Sequence, residues 1–345
     1  MVTNPPKVSV CIPTRNRSDF LRRAIASALT QTYQDYEILV VDNASTDRTA
    51  DVLATFSDRR IKYFRNEHDM GMVGNWNRCL QLATGEYVAF LHDDDIWLPN
   101  FLERMVEVLN THHDVSYVHC SCRLMDMEGA VFDIHKVWQE DWLRPGAEAL
   151  VELIPEQYIY FSTVVARRSC YRTVGSFDES VTDAADIDMW FRLALPHNLA
   201  YVAEPLALIR VHSGSSGNFS AILKRPAGEI SQHSRRAMAR ALEQLARTGK
   251  DTKSVRRIAM ARSVDRQYAG SLQFLFAGYV KRFRKETWEA ITIDPSLVLR
   301  SPLCILYLAS SFLGSALVLR IVGTKRLLER LLSKNSFLTW RDSNQ

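Results

Sequence analysis

The sequence predicts an α/β fold, a mixed and mainly parallel sheet flanked by helices, with a helical region after it. Three features carry that expectation. Short apolar runs alternate with amphipathic stretches through the first half, each run ends in a polar or proline residue, and beyond residue 219 the pattern turns helical. Strands that alternate with helices of this length pair in parallel, because each helix crosses the sheet to start the next strand.

The first strand is expected at 8–12, stopped by Pro13, and the second at 36–41, stopped by Asp42. Residues 61–64 and 87–91 read the same way. Helical periodicity fills the gaps at 19–29, 47–56, 73–82 and 98–109. After Asn110 the rhythm changes: strands at 115–122 and 159–165 enclose a helix at 146–154, and a helix at 187–194 precedes strands at 199–202 and 206–211. Helices at 230–248, 252–277 and 279–291 follow. This pattern places a catalytic domain at 1–219 and a helical region at 220–345.

The composition, 47% hydrophobic and 24% charged, is that of a folded protein. A formal charge of +4, spread along the chain, does not point to nucleic acid. The six cysteines are scattered, and Cys120 and Cys122 lack a second pair, so a zinc site is not expected. They read as small buried hydrophobes in a reducing cytoplasm. No basic stretch followed by an apolar one opens the chain, so no signal peptide is expected. Neither a G-x-G-x-x-G turn nor a phosphate-loop lysine motif occurs, which counts against dinucleotide and P-loop enzymes.

In such sheets ligands bind beyond the carboxyl ends of the strands, so the polar residues closing each apolar run are the candidates. Asp42 can accept from a base or ribose there, whereas Ser45 and Asp47 serve equally well as helix caps. Residues 92–95 read His-Asp-Asp-Asp after an apolar strand. Three adjacent carboxylates repel unless a cation sits among them, and oxygen ligands suit Mg²⁺ or Mn²⁺; a solvated acidic turn is the plainer alternative. A second acidic group holds Asp183, Asp186 and Asp188. Asp186 opens an apolar helix, as a cap or as a general base, and Asp188 two residues on points elsewhere. His212 follows the last strand, where an imidazole could complete a metal shell.

Together these segments resemble the inverting family 2 glycosyltransferases of the GT-A fold, of the bacterial cell-surface polysaccharide type. The resemblance rests on VSVCIPTRNR at 8–17, QTYQDYEI at 31–38, VVDNASTD at 40–47, NEHDMGMVGNWN at 66–77, ATGEY at 83–87, the cluster at 92–95, and His212. It implies a nucleotide-diphosphate sugar donor, a divalent metal, and a glycan or lipid-linked glycan acceptor. By residue, it implies that Pro13, Thr14, Asn16, Asp42 and Asn77 cradle the nucleoside and that Asp93 and Asp94 hold the nucleotide sugar. Asp94, Asp95 and His212 would hold the metal, and Asp186 would be the base. Two departures stand out. His92 begins a cluster that in relatives often reads Asp-x-Asp-Asp, which leaves the metal ligands open by one position, and Ala185 stands where the family carries a glutamate before its base. A non-catalytic sugar-nucleotide-binding subunit of a glycan-assembly complex is the rival reading; it would not need Asp186.

Residues 302–319 carry no charge and as a helix would extend about 27 Å. Basic residues lie on both sides, so a membrane-surface or re-entrant contact at 302–333, on the cytoplasmic face, is expected rather than a crossing. A helix packed on the catalytic domain is the alternative.

Overall fold

The computed structural model describes residues 5–211, 228–276 and 280–295. The alternation read from the sequence is present: β1 (Val8–Thr14), α1 (Ser18–Leu29), β2 (Tyr36–Asp42), α2 (Thr49–Ala54), β3 (Ile61–Arg65), α3 (Gly71–Leu82) and β4 (Tyr87–Phe90). After them come β5 (Ile96–Trp97), α4 (Phe101–Thr111), β6 (Val115–Met125), β7 (Val131–His135), β8 (Trp142–Pro145), α5 (Gly146–Glu156), β9 (Val164–Arg167), α6 (Arg168–Val174), α7 (Ala185–Ala194) and β10 (Asn198–Arg210). Three helices complete the described chain: α8 (Glu229–Ala246), α9 (Thr252–Phe276) and α10 (Val280–Ile293).

One sheet runs in the order β3-β2-β1-β4-β9-β6-β10-β5, with β7 beside β6 and β8 beside β10. The β3-β2-β1-β4 half is parallel throughout. In the other half β9 runs antiparallel to both β4 and β6, while β6 and β10 are parallel. The strand order reverses at β1, whose neighbours are β2 on one side and β4 on the other. The carboxyl ends of β1 and β4, side by side in the sheet, open on one crevice.

Every residue of β1 and β2 is buried, because helices cover both faces. Alternation sorts their side chains. Val8, Val10 and Ile12 pack with Leu21, Ile25, Leu102 and Met105 of α1 and α4, whereas Cys11, Leu39 and Val41 pack with Val73, Trp76 and Met189 of α3 and α7. Each such side chain contributes about 1.5–3 kcal/mol through removal from water. Ser9 donates to Glu37, which also accepts from Thr84 and Lys62, so the buried carboxylate is satisfied.

The chain forms two compact units. The first takes in the described residues to 211 and 232–259, and the second 228–231 and the described residues from 260 on. Helix α8 joins the first because Met238, Ala241, Leu242 and Leu245 enter its core. Strands expected at 199–202 and 206–211 are one strand, β10, kinked by register shifts on both sides of Pro205, which lacks the N–H a ladder needs. The cysteines at 11, 79, 120, 122 and 170 are buried and free, as expected. Among the described residues no helix is long and apolar enough to cross a membrane; residues 302–333 lie outside them.

Candidate active site

The crevice opened by the strand reversal is a cavity of about 610 Å³. Pro13 and Thr14 reach it from the end of β1, residues 92–95 from the turn after β4, and Asp186 from the start of α7. Residues roughly 90 and 170 positions apart thus line one cleft.

The acidic turn is buried and tightly held. Asp93 accepts from the Thr14 hydroxyl at 2.8 Å and from Arg17 at 3.3 Å, and burial pushes its carboxyl up to about 6. Asp94 pairs with the same guanidinium. Asp95 accepts from Ser162 Oγ at 2.6 Å and from the Arg210 backbone N–H at 2.9 Å. Burial, then the charge of Asp94, pushes Asp95 up to about 8. The buried Arg210 side chain donates to the carbonyls of Asp94, Asp126 and Met127, tying the acidic turn to the β6–β7 hairpin.

His92 adds a nitrogen to this group. Its ring stacks on Phe161, centroids 4.6 Å apart, with Trp76 stacked 4.3 Å from Phe161 in turn, and burial lowers its pKa, favouring the neutral form that ligates metals. The ligand atoms of His92, Asp94 and Asp95 all lie within 4.8 Å of one another. One imidazole and two carboxylates whose mutual repulsion is unrelieved by water make a donor set that fits Mg²⁺ or Mn²⁺. The sequence reading placed His212 in that set; His212 lies outside the described residues.

Asp186 sits at the N-terminus of α7, accepts from the Ile187 N–H at 2.8 Å, and has its carboxyl pushed up to about 6 by burial. Asp188 is turned inward, 2.7 Å from Arg192 and 3.6 Å from Arg240, and is a structural ion pair. Asp183 meets His233 of α8 at 2.7 Å.

Asn16, Asp42 and Asn77, expected around the nucleoside, do not line the cleft. Asp42 is fully buried, with one oxygen on the Ser45 N–H and the other on the Tyr63 hydroxyl. Asn16, at φ 54°, accepts from the Thr46 N–H and so ties the loop after β1 to the loop after β2. Asp47 caps both α1 and α2, accepting from Ser18 and Thr49 at 3.0 Å each. Asn77 clamps the backbone of Phe177, donating to its carbonyl at 3.1 Å and accepting from its N–H at 2.8 Å. Truncation to alanine should therefore cost about 1–3 kcal/mol of stability, seen as a lower urea midpoint, without changing metal affinity. A metal affinity that falls with the midpoint would place Asn77 in the site itself.

The sequence reading does not single out Arg17, His92 as a candidate ligand, or Asn43, which lines the cleft and is fixed by Asp69 at 2.6 Å and by the Met70 N–H at 2.9 Å. Asn43 and Arg17 both lie in motif stretches already quoted, but nothing in one sequence ties residue 17 to 93–94.

Residues 9–128 match the model of glycosyl transferase family 2. An uncharacterized glycosyltransferase of Rickettsia typhi is 30% identical over 221 residues, 63% of this chain and 67% of the relative. The UDP-Glc:alpha-D-GlcNAc-diphosphoundecaprenol beta-1,3-glucosyltransferase WfgD of Escherichia coli is 35% identical over 124 residues, 36% of this chain and 49% of its own length. The crystal structure of S. aureus TarS in complex with UDP-GlcNAc superposes with a TM-score of 0.57 over 84% of this chain and 91% of that one. At 16% identity that likeness is one of fold.

Proposed function

The chain belongs to glycosyltransferase family 2 and is a transferase, and from that premise we propose that it inverts the anomeric centre of a nucleotide-diphosphate sugar as it passes the sugar to an acceptor hydroxyl. What carries the reading is that Asp186 lines the same cleft as residues 92–95. A non-catalytic subunit would have no need to bring a carboxylate of raised basicity to face a ligand cluster.

In this proposal Pro13, Thr14, Asp93 and Asp94 hold the nucleotide, while Asp42, Asn16 and Asn77 keep the surrounding loops in place. His92, Asp94 and Asp95 hold Mg²⁺ or Mn²⁺, with His212 as a further ligand. Bound there, the cation supplies positive charge against the diphosphate. Asp186 accepts the proton of the acceptor hydroxyl as that oxygen bonds to the anomeric carbon. The carbon–oxygen bond to the diphosphate breaks on the opposite face, and its electron pair leaves with the nucleoside diphosphate. One displacement inverts the centre, so the anomeric proton couplings of the product, read by NMR, should report the configuration opposite to the donor. Retention would overturn the single displacement.

The base must be unprotonated. With Asp186 pushed up to about 6, kcat/KM measured at saturating Mn²⁺ should be flat above neutrality and fall about tenfold per unit below pH 6. A profile flat down to pH 4.5 would remove a carboxylate of that basicity from the rate.

We further propose a lipid-linked glycan as acceptor and a peripheral membrane position. The support is the name of WfgD, which acts on a diphosphoundecaprenol-linked sugar, and the uncharged stretch at 302–319 with its basic flanks. Removal of residues 296–345 should move the protein from the membrane fraction to the supernatant; unchanged partitioning would refute the contact.

A further inference from the structure

Asp93 and Asp94, adjacent and buried at one turn, need positive charge whether or not a metal is bound. Asp93, Asp94 and Asp95 are all less than a tenth exposed. Arg17, on the loop between β1 and α1, brings its Nη1 to 3.3 Å from Asp93 Oδ1 and 2.5 Å from Asp94 Oδ2. Its side chain is one-third exposed and lines the cleft, so it can leave without unfolding anything. Asp94 is also one of the three residues gathered as possible metal ligands.

We propose that Arg17 is the resident counterion of the acidic turn, and that a divalent cation binding to His92, Asp94 and Asp95 displaces it from Asp94. The inference rests on the cation reading of the site. Its physical basis is that a guanidinium and a divalent cation on one buried carboxylate repel at close range, where water screens them poorly. Each therefore binds at the expense of the other, and linkage makes the penalty reciprocal. The metal-free protein keeps its acidic turn folded through Arg17, and metal entry frees the guanidinium within the cleft.

The test is titration of the full-length protein with Mn²⁺ alone, followed by the EPR signal of free Mn²⁺. Arg17→Gln and Arg17→Met, which keep the stem but remove the charge, should bind Mn²⁺ about 5- to 150-fold more tightly than wild type. Arg17→Lys, which keeps the charge, should bind within a few-fold of wild type. Without metal the two neutral variants should melt at a lower temperature, and saturating Mn²⁺ should close most of that gap. Neutral variants that bind Mn²⁺ as wild type does, or more weakly, would overturn the counterion role and leave the metal site standing. A wild-type protein that binds no Mn²⁺ would overturn both.

Discussion

Asp186→Asn is expected to lower the transfer rate by about a thousandfold, within the 10²–10⁴ range for loss of a general base. Nucleotide and metal binding should hardly change. The asparagine keeps the side-chain oxygen that accepts from Ile187, so α7 retains its first turn and the cleft its shape. What disappears is the capacity to take a proton. The loss should fall on kcat, because the carboxylate interacts with the acceptor proton as it moves and not with the bound donor. Asp188→Asn is the control of opposite character. It breaks an ion pair with Arg192 in the interior and should lower stability first. Wild-type turnover in Asp186→Asn would remove that residue from the reaction.

The second large effect is expected on chelation. EDTA should suppress transfer by a factor of about 10³, with recovery on adding Mn²⁺ or Mg²⁺, because a diphosphate leaving a buried acidic cleft meets repulsion from Asp93 and Asp94. Asp95→Asn should reproduce much of that loss even with Mn²⁺ present. The same substitution should make the metal-free protein less sensitive to pH. The sign follows from the Asp95 carboxyl, raised to about 8 in the fold against an ordinary value near 4. Between those limits the folded state binds the extra proton, so wild-type stability falls as pH rises, by up to about 1.4 kcal/mol per unit for one proton. A wild-type urea midpoint that moves between pH 6 and pH 8 no differently from that of Asp95→Asn would show that Asp95 carries no such proton. Transfer that persists in EDTA would rule out metal dependence.

Much of this was readable from residue order. The runs closed by Pro13 and Asp42 form β1 and β2, and the run before His92 forms β4, because full burial on both faces demands unbroken apolar stretches. The acidic turn and Asp186 stand out in the sequence as carboxylates at a strand end and a helix start against apolar neighbours, and in the fold they line one cleft. Less was readable where pairing is long-range. Asn77 lies inside a matching motif, yet its amide is spent on the backbone of Phe177, 100 residues away. Arg17 gives no local sign that it meets Asp93 and Asp94, since only the sheet's strand order brings the loops after β1 and β4 together. Helix α6 and strands β5, β7 and β8 went unread because each is short and none is a continuous apolar run of the kind that marks β4; Asp133 and Arg144 interrupt β7 and β8.

The central claim is that carboxylates distant in sequence meet to release a nucleoside diphosphate from a bound sugar donor. It is tested most directly by screening nucleotide-diphosphate sugars for nucleoside diphosphate release, with wild type and Asp186→Asn in parallel, in Mn²⁺ and in EDTA. The account predicts release from a restricted set of donors by the wild-type protein in Mn²⁺, with little from the variant and little in EDTA. Release that is equal in both proteins, or absent from every donor while the wild type binds nucleotide, would contradict it and favour a non-catalytic binding subunit.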